Sequence, residues 1–231
     1  MKINQIIQGD CLKVLKDIPD KSIDLLYTDP PYNITFNGGG SCEKKYDYRK
    51  QDIKNIGSNT KFTLIPFLEA VKPKLKNFHA YIWMAKNTLP ETLNWIIKNK
   101  YNWNILIWHK INPVPAYNNT YLPDVEYCVF IRSKNCYFNS NLKYEAYRKV
   151  FTNKVNNTGL GHPTIKPLWI VEKMLKVSSR EGDLILDPYL GSGTTAVAAK
   201  KLKRNYIGIE ISKEYCEMAD LRIKSEGNIL L

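Results

Sequence analysis

The residues with the most specific chemistry form the tetrad Asp29-Pro30-Pro31-Tyr32, which follows an apolar run. An aromatic amine is a poor nucleophile because its lone pair is delocalised into the ring. A carboxylate and a fixed backbone carbonyl that both accept hydrogen bonds from the amine can turn that lone pair toward an electrophile, and two prolines stiffen the turn that supplies the carbonyl. The ring of Tyr32 can stack on a base extruded from a duplex. The plainer alternative is a strand ended by a Pro-Pro turn, with Tyr32 only packed.

A second candidate group is the glycine loop, Asp187 to Thr195, which combines a strand end, a glycine turn and a helix start. Glycines let backbone N–H groups approach a polar or anionic ligand closely, and a helix N-terminus adds partial positive charge. Glu210, at the end of the next strand, is placed like the acid that binds ribose hydroxyls in nucleotide-binding α/β folds. Only two of the three glycines of the dinucleotide fingerprint are present and no Lys follows as in a P-loop, so a purely structural turn is the alternative.

Alternating strands and helices must position these residues. The strand Ile3–Gln8, a short helix at Cys11–Lys16 and the buried strand Ser22–Thr28 predict a parallel βαβ unit. Further strands are expected at His79–Met84, Asn104–Trp108, Glu126–Ile131, Asp183–Leu186 and Tyr206–Ile209, with helices between them and a closing helix after Glu210. This order predicts one α/β domain over residues 1–231, with a Rossmann-like, doubly wound and mainly parallel sheet.

Two segments break the periodicity. Residues 33–61 contain a glycine run and several lysines and are expected to form a mobile loop after the tetrad. Residues 132–161 interleave aromatic side chains with basic ones and are expected to be an insertion. The basic residues of the insertion are Arg132, Lys134, Lys143, Arg148, Lys149 and Lys154. They would neutralise phosphates, and the alternative is an ordinary charged surface insertion.

The composition indicates a globular protein with a polyanionic partner. The chain has 34 Lys and Arg against 22 Asp and Glu, a net charge of +12, which attracts polyanions, most commonly nucleic acid. The cysteines and histidines show neither zinc-ligand spacing nor a disulfide framework, so no metal site is predicted. No apolar run could span a bilayer and the first residues lack a secretory signal, so we expect a cytoplasmic protein without a membrane partner.

Together these motifs resemble the amino methyltransferases of restriction–modification systems, specifically the permuted β group, which places its catalytic tetrad early and its cofactor loop late in the chain. The tetrad Asp29–Tyr32 matches the catalytic motif of that group, and the glycine loop matches its cofactor loop, with Tyr189 where the family commonly has Phe. The segment His162–Pro167 matches the one that precedes the cofactor loop, and Gly9-Asp10 matches the acidic position that receives the cofactor's adenine amine. The matches frame nearly the whole chain.

The resemblance implies base flipping and methyl transfer from S-adenosylmethionine to the exocyclic amine of adenine in duplex DNA. No metal is implied, because the sulfonium is already an activated leaving group. The implied catalytic residues are Asp29, Pro30, Pro31 and Tyr32. The implied cofactor-binding residues are Asp10, Asp29, His162, Thr164, Lys166, Asp187, Tyr189, Gly191, Ser192, Gly193, Thr194, Thr195, Glu210 and Ile211. Lys166 would hold the methionine end of the cofactor, and residues 132–161 would be the target recognition region.

The permuted order also predicts how the acidic residues are arranged. Asp10 and Asp29 are expected to end adjacent parallel strands, with Asp187 and Glu210 ending two more, so that all four face one crevice. The nearest alternative function is methylation of the cytosine exocyclic amine, although those enzymes typically carry Ser at the first tetrad position. RNA or protein-glutamine methylation and a catalytically silent DNA-binding module are further alternatives. Family members are often dimers, and a cognate restriction endonuclease is an expected partner.

Overall fold

The computed structural model describes residues 1–31, 63–113, 120–155 and 166–226. The expected loop 33–61, Tyr32, His162 and Thr164 lie outside these ranges. The strands of the described residues are β1 Gln5–Gln8, β2 Leu25–Thr28, β3 His79–Met84, β4 Asn102–Lys110, β5 Val125–Arg132, β6 Val150–Asn153, β7 Leu184–Asp187 and β8 Asn205–Glu210. The α-helices of the described residues are α1 Cys11–Val14, α2 Leu64–Val71, α3 Leu89–Lys98, α4 Leu168–Ser178, α5 Thr194–Lys201 and α6 Lys213–Glu226.

The described strands form one sheet in the order β1-β8-β7-β2-β3-β5-β4-β6. Seven of them run in the same direction and β5 runs opposite, because its contacts with both β3 and β4 are antiparallel. The prediction of a mainly parallel α/β sheet is confirmed. We call the side of the sheet at which the seven parallel strands end the carboxyl edge, and the opposite side the amino edge.

One expectation about strand order is wrong. Asp10 and Asp29 do not follow adjacent strands, because β8 and β7 lie between β1 and β2. The four residues of β2 are all buried, as is typical of a strand with neighbours on both sides. Strand β1 is only partly buried and is an outermost strand of the sheet. Chain order alone does not decide which strands pair. The acidic residues are therefore adjacent in a different way, Asp10 beside Glu210 and Asp29 beside Asp187.

Residues of the central strands point alternately to two hydrophobic cores, as the two-residue period of a strand requires. Leu26, Ile82 and Ile207 face the first core, and Leu25, Trp83 and Ile185 face the second. Because apolar side chains leave both faces, each face must be covered. Helices α1, α2 and α3 cover the first and α4, α5 and α6 cover the second, which confirms the doubly wound arrangement.

Helix α5 shows how its sequence permits this packing. It lies against α4, α6 and β8, and its residues Ala196, Ala198 and Ala199 are fully buried. Small side chains let neighbouring backbones approach closely. The close packing fixes the N-terminus of α5 at the carboxyl edge, directly after the glycine loop. Within the described residues, none of the helices has the length and apolar character required to cross a bilayer.

The reversed direction of β5 has two consequences for the site. Its first residues, including Glu126, lie at the carboxyl edge, where Glu126 is paired with Trp108. Its last residue, Arg132, is paired with His79 and Asn102 at the amino edge. The expected insertion therefore starts at the amino edge, passes α4 and returns to the carboxyl edge through β6. Its last residues, 156–161, lie outside the described part of the chain.

Candidate active site

Asp29 stands at the carboxyl edge, one residue beyond the end of β2, and is partly exposed. Its Oδ2 atom accepts a short hydrogen bond from Nζ of Lys166, with which it forms an ion pair. Pro30 is buried and Pro31 is exposed. Proline fixes its own φ, so the turn that carries the Pro30 carbonyl is stiff. The start of the tetrad is thus rigid and carries a half-buried carboxylate.

Lys166 joins two carboxylates. Its Nζ atom lies 2.9 Å from Oε2 of Glu126, in addition to its contact with Asp29. Glu126 makes a second ion pair, at 2.5 Å, with Lys110 at the end of β4. Two cations and two anions therefore alternate along one chain of contacts, Asp29–Lys166–Glu126–Lys110, which we call the charged chain. Its four formal charges sum to zero.

The surroundings of Lys166 explain why it stays charged. Burial alone would lower the pKa of its ammonium group, but Asp29 and Glu126 outweigh burial and raise that pKa above its ordinary value. Burial also acts on Glu126 and would raise its pKa, but Lys166 and Lys110 reverse the effect and lower it. The Nζ atom of Lys166 also lies 5.0 Å from the ring centroid of buried Trp83, a favourable cation–π arrangement.

The sequence reasoning missed Glu126 and Lys110. The available signal was an acidic residue at the start of an otherwise apolar strand, which is unusual because a buried carboxylate needs a partner. That signal could not reveal the partner, because it depends on the reversed direction of β5. The reasoning did select Lys166, but for contact with the cofactor.

Glu210 forms the other end of the site, at the end of β8. Its Oε2 atom accepts the backbone N–H of Gly191 at 2.8 Å, and its Oε1 atom accepts that of Ser212 at 2.9 Å. Burial raises the pKa of this carboxyl group, whereas the bonds from the backbone lower it. Ile211 follows with an exposed side chain. Glu210 is thereby held against the glycine loop with an apolar surface beside it.

Asp187, at the end of β7, is buried between these two carboxylates. It accepts the hydroxyl of Thr195 at 2.6 Å and the backbone N–H of Tyr189 at 3.1 Å. Burial raises the pKa of Asp187, these two hydrogen bonds lower it, and the charges of Asp29 and Glu210 raise it, which together bring it to about 7. Asp29, Asp187 and Glu210 are therefore close enough for the charges of Asp29 and Glu210 to affect Asp187.

The glycine loop needs its glycines for conformation and for space. Gly191 and Gly193 have φ values of 53° and 86°. A Cβ atom on Gly193 would lie 2.6 Å from Cβ of Ala219, so the loop can pack on α6 only without a side chain there. Arg222 of α6, a residue that the sequence reasoning missed, donates from Nη1 to the hydroxyl oxygens of Ser192 and Thr194 at 2.8 and 3.2 Å.

Asp10 begins the next part of the edge, where its side chain accepts the N–H of Lys13 at 3.0 Å and caps α1. The adjacent Cys11 donates from Sγ to the hydroxyl of Tyr189 at 3.0 Å. The Tyr189 ring packs on Phe67 of α2, with 5.5 Å between centroids. The hydroxyl that distinguishes Tyr189 from the expected Phe is therefore used to connect the glycine loop to α1.

The structure thus brings most of the expected cofactor residues to one edge. Asp10, Asp29, Lys166, Glu210, Ile211 and the glycine loop line the carboxyl edge, and His162, Thr164 and Tyr32 lie outside the described residues. The side chains of Ser192, Thr194 and Thr195 are buried and hydrogen-bonded within the loop region. Their hydroxyl groups are bound to Asp187 and Arg222.

The six basic residues of the insertion are not brought together. Arg132 and Lys134 lie at the amino edge, where the N–H of Ser133 donates to the carbonyl of Phe78 at 2.7 Å. Lys143 precedes the short helical turn Tyr144–Tyr147, which packs on α4. Arg148 and Lys149 precede β6. Lys154 follows β6 and lies at the carboxyl edge, next to the pair formed by Asn153 and Lys110.

Comparison with known proteins gives consistent matches. The N6_N4_Mtase family model, described as DNA methylase, matches residues 23–221. The chain is 30% identical to the Type II methyltransferase M2.DpnII of Streptococcus pneumoniae, covering 96% of this chain and 90% of that protein. It is also 30% identical to the Type II methyltransferase M.HinfI of Haemophilus influenzae, covering 96% and 68%. The structure is similar to that of an M1.HpyAVI–SAM complex, with 26% identity, a TM-score of 0.69 and coverage of 94% and 98%.

Proposed function

Because the chain belongs to this family of DNA methylases, we propose that it methylates the exocyclic amine of adenine in duplex DNA, with S-adenosylmethionine as the methyl donor. The observation that carries the proposal is the convergence of Asp29 and Glu210 at one edge of the sheet, on either side of Asp187. One carboxylate is positioned to orient an amine, and the other is positioned beside a loop suited to a nucleoside.

The residues present fit the cofactor. Glu210 is a buried carboxylate fixed by two backbone N–H groups, which suits an acceptor for ribose hydroxyls. Gly193 creates a cradle that a Cβ atom would fill, and α5 directs its N-terminus to the same place. Asp10 would accept the adenine amine of the cofactor, with Tyr189 and Ile211 as apolar neighbours. When bound, S-adenosylmethionine supplies a methyl group on a sulfonium, so the methyl donor itself needs no further activation.

The chain's own residues would then act on the target base. Asp29 and the carbonyl of Pro30 accept hydrogen bonds from the amine and turn its lone pair away from the ring. Tyr32, outside the described residues, would stack on the flipped base. Asp29 and the Pro30 carbonyl would thereby present the amine lone pair to the methyl group that bound S-adenosylmethionine would supply from its sulfonium, and the proton that the amine loses on methylation would pass to water. Asp29 supports adenine as the target, since the cytosine enzymes of the family typically carry Ser at this position.

DNA must approach the carboxyl edge for a flipped base to reach Asp29. Of the predicted DNA contacts, Lys154 is the one placed at that edge. The side chain of Lys154 is exposed, so it can neutralise a phosphate at little desolvation cost. Arg148, Lys149 and Lys143 stay predictions for the recognition region 132–161, whereas Arg132 and Lys134 face away from the edge.

Further partners belong to the same proposal. We expect a homodimer, as is common in the family, and a restriction endonuclease that cuts the same DNA sequence when it is unmethylated. A cytoplasmic location follows from that role. Sedimentation of the purified chain with and without DNA tests the first expectation.

The direct test of the function is incubation of duplex DNA with labelled S-adenosylmethionine, digestion, and identification of the labelled nucleoside. We expect the labelled nucleoside to be N6-methyl-2′-deoxyadenosine. The Asp29→Ala variant should transfer methyl about a hundredfold more slowly or worse, because it loses a directional acceptor, while its cofactor affinity changes less. Labelled N4-methylcytosine would contradict adenine specificity, and a near wild-type rate in Asp29→Ala would contradict the catalytic tetrad.

A further inference from the structure

The charged chain Asp29–Lys166–Glu126–Lys110 contains two residues, Glu126 and Lys110, to which neither the tetrad nor the glycine loop gives a role. The desolvation cost of buried ionised groups can exceed the gain from pairing them, so a buried ion pair is weak evidence of a contribution to stability, and another role for these charges can be sought. The chain reaches Asp29, the carboxylate proposed to orient the base amine. We therefore look for the role of the charged chain in its effect on Asp29.

Lys166 is held from three directions. Asp29 and Glu126 contact its ammonium group on two sides, and the ring of Trp83 lies below it. Trp83 is itself fixed, because its Nε1–H donates to the hydroxyl of the buried residue Tyr27 at 2.8 Å. An ammonium held in this way has little freedom to rotate, and the Oδ2 atom of Asp29 that it binds is restrained with it.

Glu126 is placed to hold Lys166 rather than to meet substrate. Its carboxylate is largely buried, and both of its oxygen atoms contact ammonium groups, those of Lys110 and Lys166. It stands on β5, a strand held by pairing on both sides over its length. The β5 backbone therefore provides the fixed point from which Lys166 and then Asp29 are aligned.

We propose, on the basis of the function proposed above, that Glu126 is a positioning residue: it holds Lys166 against Asp29, and Lys166 fixes the orientation in which Asp29 accepts the base amine. A carboxylate has several lone-pair positions, so Asp29 can bind Lys166 through Oδ2 and still accept from an amine. This role differs from the one implied by the family resemblance, in which Lys166 holds the methionine end of the cofactor. The two roles predict different measurements.

The test compares Glu126→Gln, Lys166→Met and the double variant. Single-turnover methyl transfer is measured at saturating DNA and cofactor, and the Kd of S-adenosylmethionine is measured by calorimetry. We expect Glu126→Gln to slow methyl transfer about tenfold, because small misplacements of a catalytic group have effects of this order, and to change the cofactor Kd by less than about twofold. Lys166→Met should slow transfer at least as much.

The double variant separates positioning from a general structural effect. If Glu126 acts only through Lys166, the double variant transfers methyl no more slowly than Lys166→Met alone, because the pair is then one functional unit. A double variant whose loss of rate equals the product of the losses in the two single variants would contradict the proposal. Urea unfolding of each variant shows whether it is folded at the assay temperature, and Glu126→Gln is the conservative change in case Lys166→Met does not fold.

Lys76→Met is the matched control. It removes the cation of another ion pair with a partly buried carboxylate, Lys76–Asp24 at 2.7 Å, which lies before β2 at the amino edge and outside the charged chain, so the single-turnover rate at saturating DNA should stay within about twofold of wild type. A wild-type rate in Glu126→Gln, or a Lys166→Met variant that loses cofactor affinity but not rate, would overturn the proposal. Absence of methyl transfer to DNA by the wild-type chain would instead contradict the proposed function, so the two failures are distinguishable.

Discussion

Individual carboxyl groups at the carboxyl edge differ because their neighbours differ. Asp29 contacts a cation, Glu210 accepts two backbone N–H groups, and Asp187 is buried with a hydroxyl and one N–H group as donors. The first arrangement suits a carboxylate that must keep one orientation during a reaction. The second suits a carboxylate that binds neutral hydroxyls. The third makes ionisation costly, because among the described residues the groups that act on Asp187 include no cation that would offset its burial.

The proposed contact between Glu210 and the cofactor ribose can be tested by mutation. Replacing Glu210 by Ala removes the proposed charge-assisted hydrogen bonds to the ribose, together about 1.5–3 kcal/mol, so the affinity for S-adenosylmethionine should fall roughly ten- to a hundredfold by calorimetry. The control is Glu217→Ala on α6, whose exposed side chain forms an ion pair with Lys213 at 3.7 Å on the surface of the same helix. Equal affinities in wild type and Glu210→Ala would move the ribose contact elsewhere.

Asp187 gives a prediction about pH. Its pKa is about 7 in the folded protein and lower in the unfolded chain, so the folded state binds the proton more tightly. Its contribution to stability is therefore complete at acidic pH and is lost as the pH rises toward 7. In Asp187→Asn this loss is absent. The free energy of unfolding of the variant, relative to wild type, should rise between pH 4.5 and 8 by up to a few kcal/mol, since each pKa unit is about 1.4 kcal/mol.

Urea unfolding of the cofactor-free protein at several pH values measures this difference. The comparison is internal, because any constant effect of the Asn side chain cancels between two pH values. Unfolding free energies of wild type and variant that change in parallel with pH would show that Asp187 is ionised in the folded protein throughout this range.

At the scale of elements, the glycine loop depends on α6 as much as on its own sequence. Gly193 packs on Ala219, and Arg222 of the same helix binds the hydroxyl oxygens of Ser192 and Thr194. The closing helix therefore fixes the loop that precedes α5. The N-terminus of α5 is therefore held at the carboxyl edge by packing against α6, a helix that follows α5 in the chain.

Gly193→Ala tests this dependence, with Gly182→Ala as control. Both glycines have positive φ, 86° and 84°, but a Cβ on Gly182 meets no atom within 4 Å. The control should lose about 1–2 kcal/mol of unfolding free energy through backbone strain alone. Gly193→Ala should lose about 1–3 kcal/mol more through overpacking against Ala219, as well as affinity for S-adenosylmethionine. Equal losses in the two variants would mean that the loop does not need close contact with α6.

At the scale of the whole molecule, the chain carries a net charge of +12, but the predicted DNA contacts are distributed over both edges of the sheet. Charge attracts DNA from a distance, whereas close phosphate contacts form only on the surface that faces the duplex. Asp29 lies at the carboxyl edge, so its proposed role in orienting the target amine requires that edge to face the DNA during methyl transfer. Composition predicts the attraction and the fold determines the orientation.

Lys154→Gln and Lys134→Gln form a matched pair, one exposed lysine at each edge. Each lost phosphate contact flattens the log–log dependence of DNA affinity on salt by about 0.9. We expect this change for Lys154→Gln and none for Lys134→Gln, with cofactor binding unaffected in both, as measured by fluorescence anisotropy over a salt series. A change in the Lys134 variant alone would reverse the proposed orientation.

The local features of this protein could be predicted from its sequence. The tetrad, the glycine loop and the position of Glu210 each depend on residues close together in the chain, and the period of the apolar residues indicated the strands and helices that carry them. The alternation of strands and helices was enough to predict a mainly parallel, doubly wound sheet. The family resemblance rested on the same local motifs.

Which distant residues become neighbours could be seen only in the folded protein. The tertiary structure separated β1 from β2, brought Glu126 to Lys166 and Asp29, placed Arg222 on the glycine loop, and divided the basic residues between two edges. These contacts join residues far apart in the chain, and they depend on strand order and on the reversed direction of β5. Strand order and strand direction depend on how whole faces of strands and helices are buried against one another. The local spacing of residues does not encode this.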